Sequence, residues 1–179
     1  MTNNVHQMYT NSGYGPTYGN NHDLHISNEA HSNTGSHIVI GNAYHGLANG
    51  YTSTNAGIFI KGGSNYHFQV SDIEMFQVGG ILSQAQWDDL KNLIGFQDKS
   101  FRLIYRATQD RFRGYNFHDR ADGYRNTLTV VKSDTGYIFG GYTAAYWKHD
   151  GSYFHDSNAF LFTLTNPHND PKKLAIHNH

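Results

Sequence analysis

At 179 residues the chain has the length of one ordinary domain, long enough to bury most of the surface its unfolded form exposes and too short for two full domains. Its 13 Lys and Arg face 14 Asp and Glu with no block of like charge, which excludes the broad positive field that nucleic acid or anionic lipid would need. The absence of cysteine excludes disulfides, thiolate metal sites and thiol chemistry. The N-terminus is polar and lacks a secretory pattern, and no apolar run approaches the length of a bilayer span. A soluble, cytoplasmic protein without membrane insertion is the expectation. The aromatic share of 15% with 19 Gly and 3 Pro points to many short strands joined by tight turns.

In chain order, residues 28–57 are rich in Asn, Ser, Gly, Thr and His, and only Ile38 to Ile40 break the polar run, so long mobile loops are expected there. Residues 68–78 form a strand whose apolar phase slips after Val70, from Phe68 and Val70 to Ile73 and Met75, which predicts a bulge near Ser71-Asp72. Gly79-Gly80 reads as a short linker. A helix follows over Gln84 to Ile94. Ser83 caps it, Gln86 completes a capping box, Leu82 staples to Trp87, and Gly95 ends it. Trp87, Leu90, Leu93 and Ile94 share its apolar face.

Leu103, Tyr105 and Ala107 alternate with Arg102 and Arg106 as a strand with one buried face, and Leu128 and Val130 alternate with threonines in the same way. Residues 137–143 place Gly140 and Gly141 inside a strand pattern, the mark of a bulge or of close backbone approach. Residues 159–164 (AFLFTL) are bulky on both faces, as a central strand covered on two sides would be. Asp134-Thr135-Gly136 and Asp150-Gly151 supply hairpin turns. The fold class is therefore mainly β (α+β): an antiparallel β-sandwich flanked by one or two α-helices.

Of the 13 histidines, His22 and His25 with Asp23 could offer imidazole and carboxylate to one ion. On a strand His22 and His25 face opposite sides, and no established metal spacing such as H-E-x-x-H is present, so structural hydrogen bonding is favoured and no metal or cofactor is expected. Tyr142, Tyr146 and Trp147 combine aromatic bulk with polar tips, which suits an interaction surface or a sugar-stacking site; for Trp147 a core role is favoured.

Residues 100–166 (SFRLIYRATQDRF, FHDRADG, NTLTVVKSDTGYIFGGYTAAYW, NAFLFTLTN) closely resemble the first half of a TLDc domain. Residues 13–78 (GYGPTYGNNHDLHIS, FQVSDIEMFQV) resemble its second half, so the halves stand in the opposite order from the family. The resemblance implies one domain over residues 1–179. Residues 1–78 match the family's C-terminal half, 79–80 form the junction and 81–179 match the N-terminal half, as in a circular permutant of engineered origin or, alternatively, of natural rearrangement. The old ends meet at Gly79-Gly80, and the new ends are expected to be spatial neighbours.

By the resemblance, Phe117-His118 with Asp122-Gly123 match the family's FHxxxDG segment, a short helix or turn that brings an imidazole near a carboxylate. A general base at His118 and Asp122 is one reading, and a capped structural turn is the favoured one. Ala121 stands where family members often carry cysteine, which removes a thiol route to oxidant scavenging. Asp72 and Glu74 match the family's final acidic strand, and Arg102 and Arg106 lie on its first strand, so these charges are candidates for partner docking.

The family resemblance implies a non-catalytic, monomeric protein-interaction domain linked to oxidative-stress protection, with subunits of the vacuolar-type proton pump as partner. The alternatives are a glycan- or small-ligand-binding β-sandwich, or a metal or hydrolytic site using His118 and Asp122.

Overall fold

The computed structural model describes residues 8–11, 17–18, 24–26, 36–38, 44–45, 67–68, 70–76 and 82–176. His22, Asp23, the Gly79-Gly80 junction and both chain ends lie outside the described residues.

Among the described residues the strands form two antiparallel sheets. One comprises β1 (Met8–Asn11), β2 (Thr17–Tyr18), β3 (Leu24–His25), β4 (Ser36–Ile38), β6 (His67–Phe68) and β11 (Asp150–Phe154), in the order β11-β1-β2-β3-β4-β6. The other comprises β5 (Tyr44–His45), β7 (Val70–Phe76), β8 (Leu103–Arg106), β9 (Thr127–Ser133), β10 (Ile138–Thr143), β12 (Phe160–Thr165) and β13 (Lys172–Ile176), in the order β5-β13-β12-β10-β9-β7-β8. The fold is mainly β with a few helices. The polar stretch expected as loop contributes β4 and β5, short strands that need backbone partners more than apolar side chains.

The central strands divide their side chains between two apolar clusters because successive residues point to opposite faces. Val131, Phe139 and Leu161 join Leu24 of the first sheet and Ile26 just after it, while Val130, Ile138 and Phe160 join Leu90 and Ile94 on the other face. The second sheet is thus buried on both sides, as the double-sided bulk of residues 159–164 predicts. The expected bulge is present: Val70 pairs with Ser133 and Asp72 with Lys132, so one residue of β7 is skipped and Ile73 and Met75 return to the core face.

Helix α1 (Gln84–Ile94) covers the outer face. Gln86 N donates to Ser83 Oγ at 3.2 Å and Ser83 N donates to Gln86 Oε1 at 3.0 Å, a complete capping box of the kind whose loss costs about 1 kcal/mol. Gly95, at φ 80°, turns the chain out, and its amide donates to the Lys91 carbonyl at 3.0 Å.

Between β8 and β9 run a single helical turn, α2 (Ala107–Asp110), and α3 (Gly114–Ala121). They meet at Arg111, whose backbone sits at φ 75° and ψ 156°, a region that side-chain-bearing residues occupy only under strain. The Arg111 carbonyl accepts from the buried Tyr105 hydroxyl at 2.9 Å, a bond that helps hold this backbone in place. Because the Arg111 side chain is exposed, Arg111→Gly should raise stability by about 1 kcal/mol, strain relief outweighing the added entropy of the unfolded chain. Chemical denaturation of the pair measures this, and a lower midpoint for the glycine variant would contradict the strain argument.

Candidate functional site

The one convergence of ligand-type side chains from separate segments among the described residues lies where α3 ends against the loop before β11. Helical spacing places His118 and Asp122 four residues apart on one face, so the carboxylate at the C-cap reaches back to the last turn. His118 Nδ1 lies 2.7 Å from Asp122 Oδ1. The second carboxylate oxygen, Oδ2, lies 2.5 Å from Nδ1 of His149, which is 27 residues further along. An ionised carboxylate only accepts, so each imidazole donates its Nδ1 proton to its own oxygen of Asp122.

Backbone bonds close the helix end and join the two segments. Asp122 N donates to the His118 carbonyl at 3.0 Å, Gly123 N to the Trp147 carbonyl at 2.9 Å and Trp147 N to the Tyr124 carbonyl at 3.3 Å, with a parallel bridge between Asp122 and Trp147. Aromatic packing fixes the floor: the Phe117 ring meets those of His118, Trp147 and Tyr105 edge to face at 5.0, 5.0 and 5.6 Å.

Burial grades across the site, with His118 only 5% exposed, Asp122 24% and His149 66%. The Asp122 carboxylate, hydrogen-bonded to His149, holds that imidazole above its ordinary range; the field of Asp150 adds to this and partial desolvation opposes it. Lys148 pairs with Asp150 and lowers its carboxyl to about 2. A cavity of about 480 Å³ opens beside the cluster, lined by Tyr115, His118, Asp119, Asp122 and His149.

A sequence model of the TLDc domain matches residues 75–175, more than half of the chain. The chain belongs to the TLDc domain family. Comparison with curated proteins and with solved structures finds no match.

In this TLDc domain the FHxxxDG segment is the helix end that builds the cluster, and Ala121 is fully buried beside it in the core. Of the remaining candidates, Glu74 lies on β7 in register with Arg106 on β8 and Val130 on β9. The Arg106 amide donates to Asp110 Oδ2 at 2.9 Å, a bond within its own neighbourhood. The other three interaction candidates meet along residues 124–126. The Arg102 guanidinium lies 5.5 Å from the Tyr124 ring, Arg125 lies 4.9 Å from the Tyr146 ring, and the Tyr142 hydroxyl donates to Asn126 Oδ1 at 3.1 Å. Trp147 is a core residue, 1% exposed.

Two functional-looking residues gave no usable signal in the sequence. His149 immediately precedes β11, where Asp150-Gly151 form strand and not the expected hairpin turn, and it meets Asp122 only through tertiary structure. Asp156 is buried, and its Oδ2 accepts from Thr143 Oγ1 and Ala144 N at 2.7 Å each and from Ala145 N at 3.3 Å, tying β10 to the loop before β12. Asn158 N donates to its Oδ1 at 3.0 Å, the local Asx turn that Asp-x-Asn could have suggested.

Proposed function

We propose that this TLDc domain is a non-catalytic interaction module that docks a protein partner along residues 124–126. The observation that carries the reading is that three consecutive residues there each engage a different exposed or half-buried side chain, Arg102, Tyr146 and Tyr142. Arginine and tyrosine are among the side chains enriched at binding hot spots, and stacking pre-orders them before a partner arrives. By the family resemblance the partner is a subunit of the vacuolar-type proton pump and the outcome is protection against oxidative stress.

We further read the chain as an engineered circular permutant. In support, β7, which closes the segment resembling the family's second half, pairs antiparallel with both β8 and β9 of the segment resembling the first half. Sheet position follows side-chain pattern, not chain order.

Pull-down of pump subunits by the purified chain and by its de-permuted form, residues 81–179 followed by 1–78, tests both readings. Both forms should bind, and Arg125→Ala should weaken binding about tenfold. Binding by neither form removes the pump as partner. A de-permuted chain that fails to fold removes the permutation. No helix among the described residues is long and apolar enough to cross a membrane.

A second reading rests on a cavity of about 320 Å³ lined by Phe96, Phe101 and Tyr142 with Lys99, Ser100 and Asn126, an aromatic wall with polar groups at its edge that suits a small ligand. A glycan array discriminates it: hits abolished by Tyr142→Ala would favour it over protein docking.

A further inference from the structure

We propose that His118, Asp122 and His149 form a binding site for a first-row divalent transition metal ion, Zn²⁺ being the simplest occupant. This does not rest on the interaction reading. Two imidazole nitrogens and a carboxylate are the donor set such ions prefer over Mg²⁺ or Ca²⁺, which favour oxygen. The three ligand atoms already lie within 4.8 Å of one another, and they come from two segments 27 residues apart that the backbone bonds of Gly123 and Trp147 hold together. The site is therefore assembled by the fold and not by chance meeting of mobile side chains.

The contacts of 2.7 and 2.5 Å are tighter than the spacing of about 3.3 Å between ligands around a tetrahedral ion with bonds of about 2.0 Å. Entry of the ion must spread them. His149, 66% exposed, is the ligand able to move outward, whereas His118 is fixed under Phe117. Each Nδ1 must give up its proton: a neutral ring shifts it to Nε2 and a charged ring releases it to water.

The two N–H bonds that Asp122 accepts are then replaced by the cation. Two neutral imidazoles and one carboxylate leave the occupied site with a net positive charge, and the cavity of about 480 Å³ leaves its remaining coordination open on the solvent side. Three protein ligands with an open position describe a site that takes water or a small anion as its fourth ligand, unlike a closed structural site with four protein ligands.

The test is calorimetric titration of Zn²⁺ alone into chelator-stripped chain, paired with Co²⁺ absorption to read coordination. One equivalent should bind in the micromolar range, with the visible bands of low-coordinate Co²⁺ bearing nitrogen and oxygen ligands. His149→Ala removes an exposed ligand without touching the core, so it should keep its circular dichroism and lose at least tenfold in affinity. Asp122→Asn should lose as much. His155→Ala, an exposed histidine at a different cavity, should bind as the parent does. Binding that survives His149→Ala unchanged would place the ion on other histidines and overturn the assignment, as would absence of binding or a loss in His155→Ala equal to that in His149→Ala.

Discussion

Gly140→Ala should cost this TLDc domain about 3 kcal/mol or more, one of the two strongest effects expected of single substitutions. Gly140 sits in β10 between Val130 of β9 and Phe162 of β12, so both of its edges are paired. A Cβ built there would stand 1.9 Å from the Thr129 carbonyl oxygen and 2.9 Å from Phe162 Cζ. The phenyl ring could turn away, but the carbonyl belongs to the backbone of β9 and cannot retreat without opening the middle of the sheet.

Gly136→Ala supplies the contrast. Its Cβ would meet nothing within 4 Å, and only the left-handed φ of 86° opposes it, at about 1 to 2 kcal/mol. Denaturant midpoints of the two variants measure the difference. A Gly140→Ala protein as stable as Gly136→Ala would mean that the strands are further apart than described.

Trp147→Ala should cost about 3 to 5 kcal/mol, the range for deleting a fully buried aromatic side chain. Trp147 is 1% exposed, packs edge to face on Phe117, and its Nε1 donates to Thr127 Oγ1 at 2.8 Å. Truncation leaves a cavity under α3 and strands a buried hydroxyl. Trp147→Phe refills most of the space and should recover more than half of the loss, leaving mainly the missing hydrogen bond.

Because the ring supports Phe117, which supports His118, the alanine variant should also loosen the histidine cluster. Exchange broadening of the His118 ring signals in NMR would report it. Unaltered His118 resonances in a destabilised Trp147→Ala protein would show the cluster to be held by its backbone bonds alone.

The legible features were those whose cause is local. The α1 capping box needs only Ser83 and Gln86, three residues apart, and the β7 bulge only the phase slip between Val70 and Ile73. Gly140 announced itself as a strand glycine, although the sequence could not name Thr129 as the backbone it approaches. Two of the three residues of the candidate site were legible as well, since the resemblance of Phe117-His118 and Asp122-Gly123 to the family segment already brought imidazole and carboxylate together.

His149 was not legible, because a histidine just before a strand carries no mark of the carboxylate it will meet. Asp156 looked like an ordinary loop residue, and only the fold places the amides of Ala144 and Ala145 within its reach. The convergence of Arg102, Tyr142 and Tyr146 on residues 124–126 likewise joins side chains from separate elements.

By itself the sequence determined helix α1, the bulge in β7, the turn at Asp134-Thr135-Gly136 and the double-sided burial of the central strands, because period, capping and steric allowance act over a few residues. Tertiary structure alone decided which imidazole completes the Asp122 pair, which amides Asp156 satisfies and which backbone forbids a side chain at position 140. Those outcomes depend on the packing of segments far apart in the chain, where distance and direction are set by the whole core and by no local pattern.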